Sequence, residues 1–425
     1  MAPEAKAQII DDLLEVHFEE LAFLWERRIE AICSPIYTLR AFRELDERID
    51  AHTSGLLVGG KTGLPLLEQG LADKDPSNVF AAAYALLRLG DAEAANTVID
   101  RFMEAEGDTL AGLRRALAHA PLNGTAEALQ DAAAGAPPVR AVAACEILAF
   151  HGQLEVGSPR LKELIQDKSP SIRAAAWRVI GLLDSIPEAS MAASVTATRP
   201  YSAAIKDQDT RVRIAALGAA AWTRQKWLLE HCRSCAATEC DEQLQALVLV
   251  AVLGDESDMV RMISAGRLNS LGPGRFRILG AYGHPNVVDQ LLTALDDEDP
   301  FTSVAAGLAF TKITGVDIES DDVVTIPPKE EQDPDEIDEE FLDELVLPDP
   351  EKARAHWAEA SSSYGQGSRW SRGVNLDTLE DEQELPPVLD MESCSEAALR
   401  SAAGDKRRNP RLLYPEWYCP EAPSE

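Results

Sequence analysis

The sequence predicts an all-α protein, an α-solenoid of stacked helix pairs with an N-terminal helical cap and an acidic, partly disordered C-terminal region. Two observations carry this reading. The first is the stretch Leu164–Leu183, LIQDKSPSIRAAAWRVIGLL, which ends one helix, breaks at Asp167-Lys168-Ser169-Pro170 and starts another. Ser169 suits the capping position, and Pro170 suits the first helical position, where a missing N–H costs nothing. Ile172, Ala175, Ala176, Val179, Ile180 and Leu183 then fall on one stripe, with small residues in its middle that let a neighbouring helix approach. The second observation is that the unit recurs, as it must, because a lone helix pair cannot bury such a stripe.

The copies are degenerate but recognisable. Asp73-Lys74-Asp75-Pro76 leads into VFAAAYALLRLG from Val79, and Pro137-Pro138 leads into VRAVAACEILAFHG from Val139. Asp207-Gln208-Asp209-Thr210 leads into VRIAALGAAA from Val212, and the turn ending at Pro300 leads into VAAGLAFTKITG from Val304. Pro138, Pro170 and Thr210 lie about 32 and 40 residues apart, the range of two-helix repeats.

Ahead of the repeats, Ile9–Ile32 carries a wide apolar face through Leu14, Phe18, Leu21, Leu24, Trp25 and Ile29, and Ser34-Pro35 breaks it. Leu39–Leu57 gives a second helix, ended by Gly59-Gly60. Residues 1–60 therefore read as a helical hairpin that caps the open end of the stack. The rival reading is a docking helix, with Phe18, Phe23 and Trp25 inserted into a partner. His17 and His52 read as packed histidines.

Residues 61–315 form the solenoid. Its less patterned part includes Glu242–Leu253, Val260–Asn269, Arg275–Tyr282 and Val287–Leu295. Residues 316–350 shift sharply to acids, with Pro327-Pro328 and Pro334, and read as a solvated acidic linker. Within it, Ile337, Phe341, Leu342, Leu345 and Val346 have the spacing of a short amphipathic helix, a possible docking peptide. Residues 351–425 read as a partly ordered tail: a helix at Glu351–Ala360, a loop at SSSYGQGSRWSRG and a helix at Ser395–Ala403. Tyr364, Trp370, Tyr414, Trp417 and Tyr418 either fold back on the solenoid or anchor a partner, and burial of that kind is what offsets the entropy of ordering a polar tail.

The repeat pattern, an acidic turn followed by Pro and Val-Arg-x-Ala-Ala, resembles the HEAT-repeat superfamily in its short bacterial form. The resemblance covers roughly Leu64 to Gly315 and keeps its core dipeptide at Val139-Arg140, Ile172-Arg173 and Val212-Arg213; it fails at Val79-Phe80 and Val304-Ala305. It implies that Arg140, Arg173 and Arg213 pair with acidic turn residues of an adjacent repeat, here Asp167, Asp207 and Asp209. The alternative role for the three arginines is ligand binding. The N-terminal stretches HFEELAFLW from His17 and LDERIDAH from Leu45 are similar to a bacterial HEAT-like family whose members are often found beside type VI secretion genes. That family has no assigned catalytic residues to carry over.

Charge narrows the function. The net charge is −32 over 425 residues, and the one basic cluster, Lys406-Arg407-Arg408, sits in an acidic tail. Nucleic acid needs a basic footprint, so it is excluded as a partner, the DNA-glycosylase branch of HEAT-like proteins with it; anionic membranes are excluded on the same ground. A neutral or cationic protein is the favoured partner. No apolar run approaches the roughly 18 residues of a membrane span, no secretory leader is recognisable, and seven scattered cysteines suit reduced thiols in the cytoplasm.

One cluster has metal-ligand character: His231, Cys232, Cys235 and Cys240 lie within ten residues. Against it, His231 and Cys235 share a helix face that Cys232 does not, and no second ligand half is evident. No P-loop, dinucleotide fingerprint or His-Glu-x-x-His occurs, and the absence of any His-Glu dipeptide removes the di-iron hydroxylases built on such repeats. The expectation is a non-catalytic protein-binding scaffold without a cofactor, an adaptor, chaperone or immunity-type binder linked to type VI secretion, holding its partner on the concave face. The binding candidates are Arg140, Arg173, Arg213, Phe341, Leu345 and Trp370. The alternatives are an enzyme, either a bilin-type lyase or a metal-dependent activity at Cys232–Cys240, and an intramolecular switch in which Asp333–Asp349 fills the solenoid's own groove.

Overall fold

The computed structural model describes residues 2–154, 158–184, 198–326, 344–365, 367–379 and 385–403. It is 71% helix and 5% strand, with no closed sheet, which makes the chain all-α. None of its helices is long and apolar enough to cross a membrane. The described chain divides into two compact units, meeting between Gln225 and Lys226, so the boundary cuts the stretch that reads as one solenoid.

The first unit contains α1 (Ala2–Ala31), α2 (Leu39–Gly59), α3 (Leu64–Leu71), α4 (Pro76–Leu89), α5 (Ala92–Glu104) and α6 (Gly107–His119). It continues with α7 (Ala126–Gly135), α8 (Pro138–Phe150), α9 (Pro159–Leu164), α10 (Pro170–Asp184), α11 (Thr198–Ala204) and α12 (Thr210–Trp222). Each odd helix from α3 to α11 packs on the even helix that follows it. The even helices α4, α6, α8, α10 and α12 pack side by side in a row. Proline opens α4, α8 and α10. The acids of the turns are caps: Asp75 accepts from the N–H groups of Ser77 and Asn78, and Asp209 from that of Arg211. Small residues set the spacing. A Cβ on Gly112 of α6 would stand 2.5 Å from the Pro76 carbonyl oxygen at the start of α4.

The N-terminal hairpin lies against this row. Helices α1 and α2 pack on each other and both touch α4. Phe18 and Trp25 are buried, whereas Phe23 is 54% exposed. His17 and His52 meet across the hairpin with their Nδ1 atoms 3.2 Å apart.

The second unit contains α13 (Leu228–Ala236), α14 (Gln243–Leu253), α15 (Met259–Ala265), α16 (Gly274–Tyr282), α17 (Val288–Ala294) and α18 (Pro300–Thr314). Here α13, α14, α16 and α18 follow one another in packing order. After α18 come β1 (Glu319–Thr325), β2 (Glu344–Pro348), α19 (Pro350–Ala360), β3 (Trp370–Ser371), β4 (Val374–Asn375) and α20 (Met391–Ala403).

The acidic stretch 316–350 departs from its expected character. Its described ends form an antiparallel pair, β1 on β2, with a register shift between Glu319 and Val323. Ile318 is buried, and Gly307 of α18 leaves room for Pro348 of β2, whose Cβ would lie 2.9 Å from a Cβ there. Asp349 then caps α19. Leu345 and Val346 are therefore strand residues, not members of an amphipathic helix, and residues 344–348 pair with β1 and pack on α18. The physical reason is local: Val323-Val324 and Leu345-Val346-Leu347 supply enough β-branched and apolar side chain to pair two strands despite the surrounding charge. Phe341 and the rest of the supposed helix and switch segment, 333–343, lie outside the described residues, as does 404–425 with its aromatics.

Candidate functional site

The three repeat arginines are turn staples. Arg173 donates from Nε and Nη2 to the two carboxylate oxygens of Asp207, at 2.8 and 2.7 Å, and from Nη1 to the carbonyls of Asp167 and Lys168. Arg213 repeats the second part of this one repeat later, donating to the carbonyls of Asp207 and Gln208 and to Thr210 Oγ1. Arg140 donates to the carbonyls of Phe102 and Ala105 at the end of α5. Each side chain thus ties its own turn, or joins it to a neighbouring one. The hydrogen bond from Arg173 holds the Asp207 carboxyl below the usual carboxylate range. Arg173→Ala is expected to cost about 2 kcal/mol, because both hydrogen bonds of a largely buried bidentate pair are lost and Asp207 is left without its cation. Chemical denaturation should show it; a loss under about 0.5 kcal/mol, typical of surface positions, would mean that solvent replaces the staple.

The thiol cluster is rearranged relative to the expected set. Cys232 faces the core of the second unit and is fully buried, and burial pushes its thiol up to about 12. His231 and Cys235, one turn apart on α13, do meet: His231 Nε2 lies 3.4 Å from Cys235 Sγ. Cys240 returns to the same place from the following turn, its Sγ 3.9 Å from the Cys235 carbonyl oxygen. Glu242, at the N-terminal boundary of α14, completes the group: ligand atoms of Cys235, Cys240 and Glu242 all lie within 4.8 Å of one another. Burial, then Cys240 and Glu242, push the Cys235 thiol up to about 11. Burial lowers the His231 imidazole, with Glu242 opposing it. Sequence spacing alone put Cys232 in the set because it is adjacent to His231. Glu242 was missed because it reads as the first residue of the segment Glu242–Leu253, an element separate from the cysteines.

Trp370 belongs to a C-terminal strap that folds back across the second unit. Residues 369–373 run over the carboxyl ends of three helices, α14, α16 and α18. Arg369 Nη1 donates to the carbonyls of Ala251 and Val252, both at 2.7 Å, and its Nη2 donates to that of Gly254, at the end of α14. Trp370 N–H donates to Gly283 O after α16, and Arg372 N–H and Gly373 N–H donate to Lys312 O and Ile313 O near the end of α18. Those carbonyls have no partner inside their own helices, and a guanidinium there also suits the helix dipole. Gly283 and Gly315 both take positive φ, and a Cβ on either would stand 2.7 Å from strap backbone. They are at once helix terminators and seats for the strap. Tyr364 is buried beside Trp370, with ring centroids 4.7 Å apart.

Helix α20 follows the strap and is fixed by buried charge. Lys312 of α18, 3% exposed, donates to Glu392 at 2.6 Å and to Glu396 at 2.7 Å, and Arg277 of α16 donates to the other oxygen of Glu392 at 2.6 Å. Burial pushes both carboxyls up. At Glu392 Lys312 and Arg277 outweigh it and bring the group down to about 2, whereas Glu396, sharing one ammonium with Glu392, stays raised. Nothing in the loop composition pointed to Arg369; Lys312 reads as an ordinary helix residue, and Glu392 lies ahead of the helix expected at Ser395–Ala403, which in the structure begins at Met391.

No family model and no curated protein matches the chain.

Proposed function

We propose that the chain is a non-catalytic protein-binding scaffold, a HEAT-like solenoid that holds a neutral or cationic protein partner. The setting suggested by the N-terminal stretches is bacterial type VI secretion, with the chain acting in the cytoplasm as an adaptor, chaperone or immunity-type binder. One observation carries the charge preference. In the first unit the repeat arginines are turned into the turns, while acids on the odd helices stand in solvent: Glu93, Asp100 and Glu104 on α5, and Glu127 and Asp131 on α7. The one base on those two helices, Arg101, donates to the Leu71 carbonyl. An acidic surface so built, on a row of packed helices, steers a complementary partner and selects against anionic ones.

Affinity purification of the full-length chain at physiological salt is expected to recover a stoichiometric protein partner. That partner should leave as salt rises toward 1 M, where the screening length falls from about 8 Å to about 3 Å. Changing Asp100, Glu104, Glu127 and Asp131 together to Lys should weaken the complex about tenfold or more, chiefly through slower association. A complex indifferent to both salt and charge reversal would overturn the electrostatic reading. Recovery of the chain alone, carrying a chromophore, would replace the scaffold with the bilin-lyase alternative.

A further inference from the structure

We propose that His231, Cys235, Cys240 and Glu242 form a structural site for a tetrahedral, thiophilic divalent cation of the zinc class, one that clamps the end of α13 to the start of α14. The donor set is the first ground. Two thiols, an imidazole and a carboxylate are the ligand types that zinc takes, and two sulfurs disfavour calcium, magnesium and manganese.

Geometry is the second. Nitrogen and sulfur ligands of one tetrahedral zinc stand about 3.6 Å apart, from bond lengths of about 2.05 and 2.3 Å. The observed separation of His231 Nε2 and Cys235 Sγ is 3.4 Å. Cys235, Cys240 and Glu242 present their ligand atoms within 4.8 Å of one another, and His231, outside that trio, adjoins it through Cys235. The ligands also arrive as two halves, two from a helix end and two from the turn and helix start that follow. A single helix could not present four; this connection gathers three, with His231 beside one of them.

The frame around the site is held independently of any ion. Gln243 Nε2 donates to the Ala236 carbonyl at 3.2 Å, Gln243 N–H to the Cys240 carbonyl at 3.0 Å, and Thr238 N–H to the Cys235 carbonyl at 3.1 Å. These bonds fix the backbone on both sides of the ligands. Trp227 stands edge-on to the His231 ring, with centroids 5.7 Å apart. The nearest arginine on the helix, Arg233, is directed elsewhere: its Nε and Nη2 donate to the two oxygens of Asp258 at 3.0 and 2.7 Å. Two thiolates and a carboxylate bring three negative charges, which a divalent ion offsets to a net of about −1, as in ordinary thiolate-rich zinc sites.

The test uses full-length, fully reduced protein titrated with Co2+ and then Zn2+. The expected result is one equivalent of Co2+ giving the intense visible bands of a tetrahedral ion and a near-ultraviolet thiolate charge-transfer band, all bleached by one equivalent of Zn2+. Cys235→Ser and Cys240→Ser should each abolish the charge-transfer intensity or cut it strongly, and Glu242→Gln should weaken binding about tenfold or more. Cys232→Ala should leave the spectrum unchanged. Circular dichroism of each variant separates a lost ligand from a lost fold. The proposal is overturned if confirmed free thiols give no tetrahedral cobalt spectrum, if the spectrum survives in the Cys235→Ser/Cys240→Ser double variant, or if it disappears with Cys232 alone in a folded protein.

Discussion

Lys312→Ala is expected to loosen α20 from the second unit at a cost of about 3–5 kcal/mol, because removing one partner of a buried ionic group leaves the others uncompensated. In this group a single ammonium, 3% exposed, serves Glu392 and Glu396, Arg277 donates to Glu392, and the charge of Arg400 acts on Glu396. Hydrogen exchange along Met391–Ala403 reads the loss directly, since protection there depends on local opening. The sign of the pH dependence separates the charge account from simple loss of packing. Glu392 has its carboxyl depressed to about 2, below the ordinary value of 4.5, so its contribution is present above about pH 4.5 and lost as pH falls through about 2. Glu396 has its carboxyl raised, so its contribution has the opposite sense: present below about pH 4.5 and lost as pH rises through its folded value. Without Lys312, burial acts on both carboxyls with less opposition, and the second sense should dominate. The variant should therefore gain protection in α20 when pH is lowered from 7 toward 4.5, where the parent gains less. Equal protection in parent and variant at pH 7 would sink the account. Replacing Lys312, Glu392 and Glu396 together by apolar residues of similar size should recover much of the stability, since a buried ionic group exchanged whole is often close to neutral.

The repeat was legible because three local signals coincide in it. A turn acid caps the next helix, a proline sits where no N–H is needed, and an apolar stripe with alanines runs at helical spacing; each is chemistry within about ten residues. The staples were not legible from local chemistry: the resemblance to the repeat family implied that these arginines pair with acids of an adjacent turn, and Arg173 does pair with Asp207, 34 residues on. What could not be read depends on distance along the chain. The strap meets α14, α16 and α18 mainly through their terminal carbonyls, which leave no mark in side-chain pattern, and Gly283 and Gly315 look like helix terminators whether or not a strap lies over them. The pair β1–β2 was hidden because acids dominate any window wide enough to measure composition, while pairing depends on a few alternating positions. At the thiol turn, Cys235 stands beside His231 on one side and Cys240 on the other, two of the neighbours that spacing suggested. Spacing failed at Cys232, which lies on the buried side of the helix, and at Glu242, which enters from the next element.

Trp25→Ala should be the most damaging single change in the N-terminal hairpin, about 3–5 kcal/mol, and it decides what that hairpin is for. Trp25 is 2% exposed; its ring stacks on Phe80 of α4 with centroids 3.6 Å apart and planes 7° from parallel, and meets His119 of α6 edge-on at 4.8 Å. Arg28 lies over the same ring and over Phe42 of α2, and its Nε donates to Asp46 at 2.7 Å. One side chain therefore joins α1 to α4 and α6, with Arg28 tying in α2. Truncation opens a cavity between closely packed helices, so little of the lost contact is regained. Trp25→Phe should cost less, because it keeps a ring against Phe80 and removes an indole N–H that is buried without a hydrogen-bond partner. Phe23, on the same helix and 54% exposed, supplies the contrast: Phe23→Ala should change stability by no more than about 0.5 kcal/mol. If the hairpin caps the row, Trp25→Ala lowers the unfolding midpoint of the first unit and any loss of partner binding follows the loss of fold. If it is instead a docking helix, the pattern inverts, with Phe23→Ala abolishing the complex at unchanged stability and Trp25→Ala leaving the unfolding midpoint where it was.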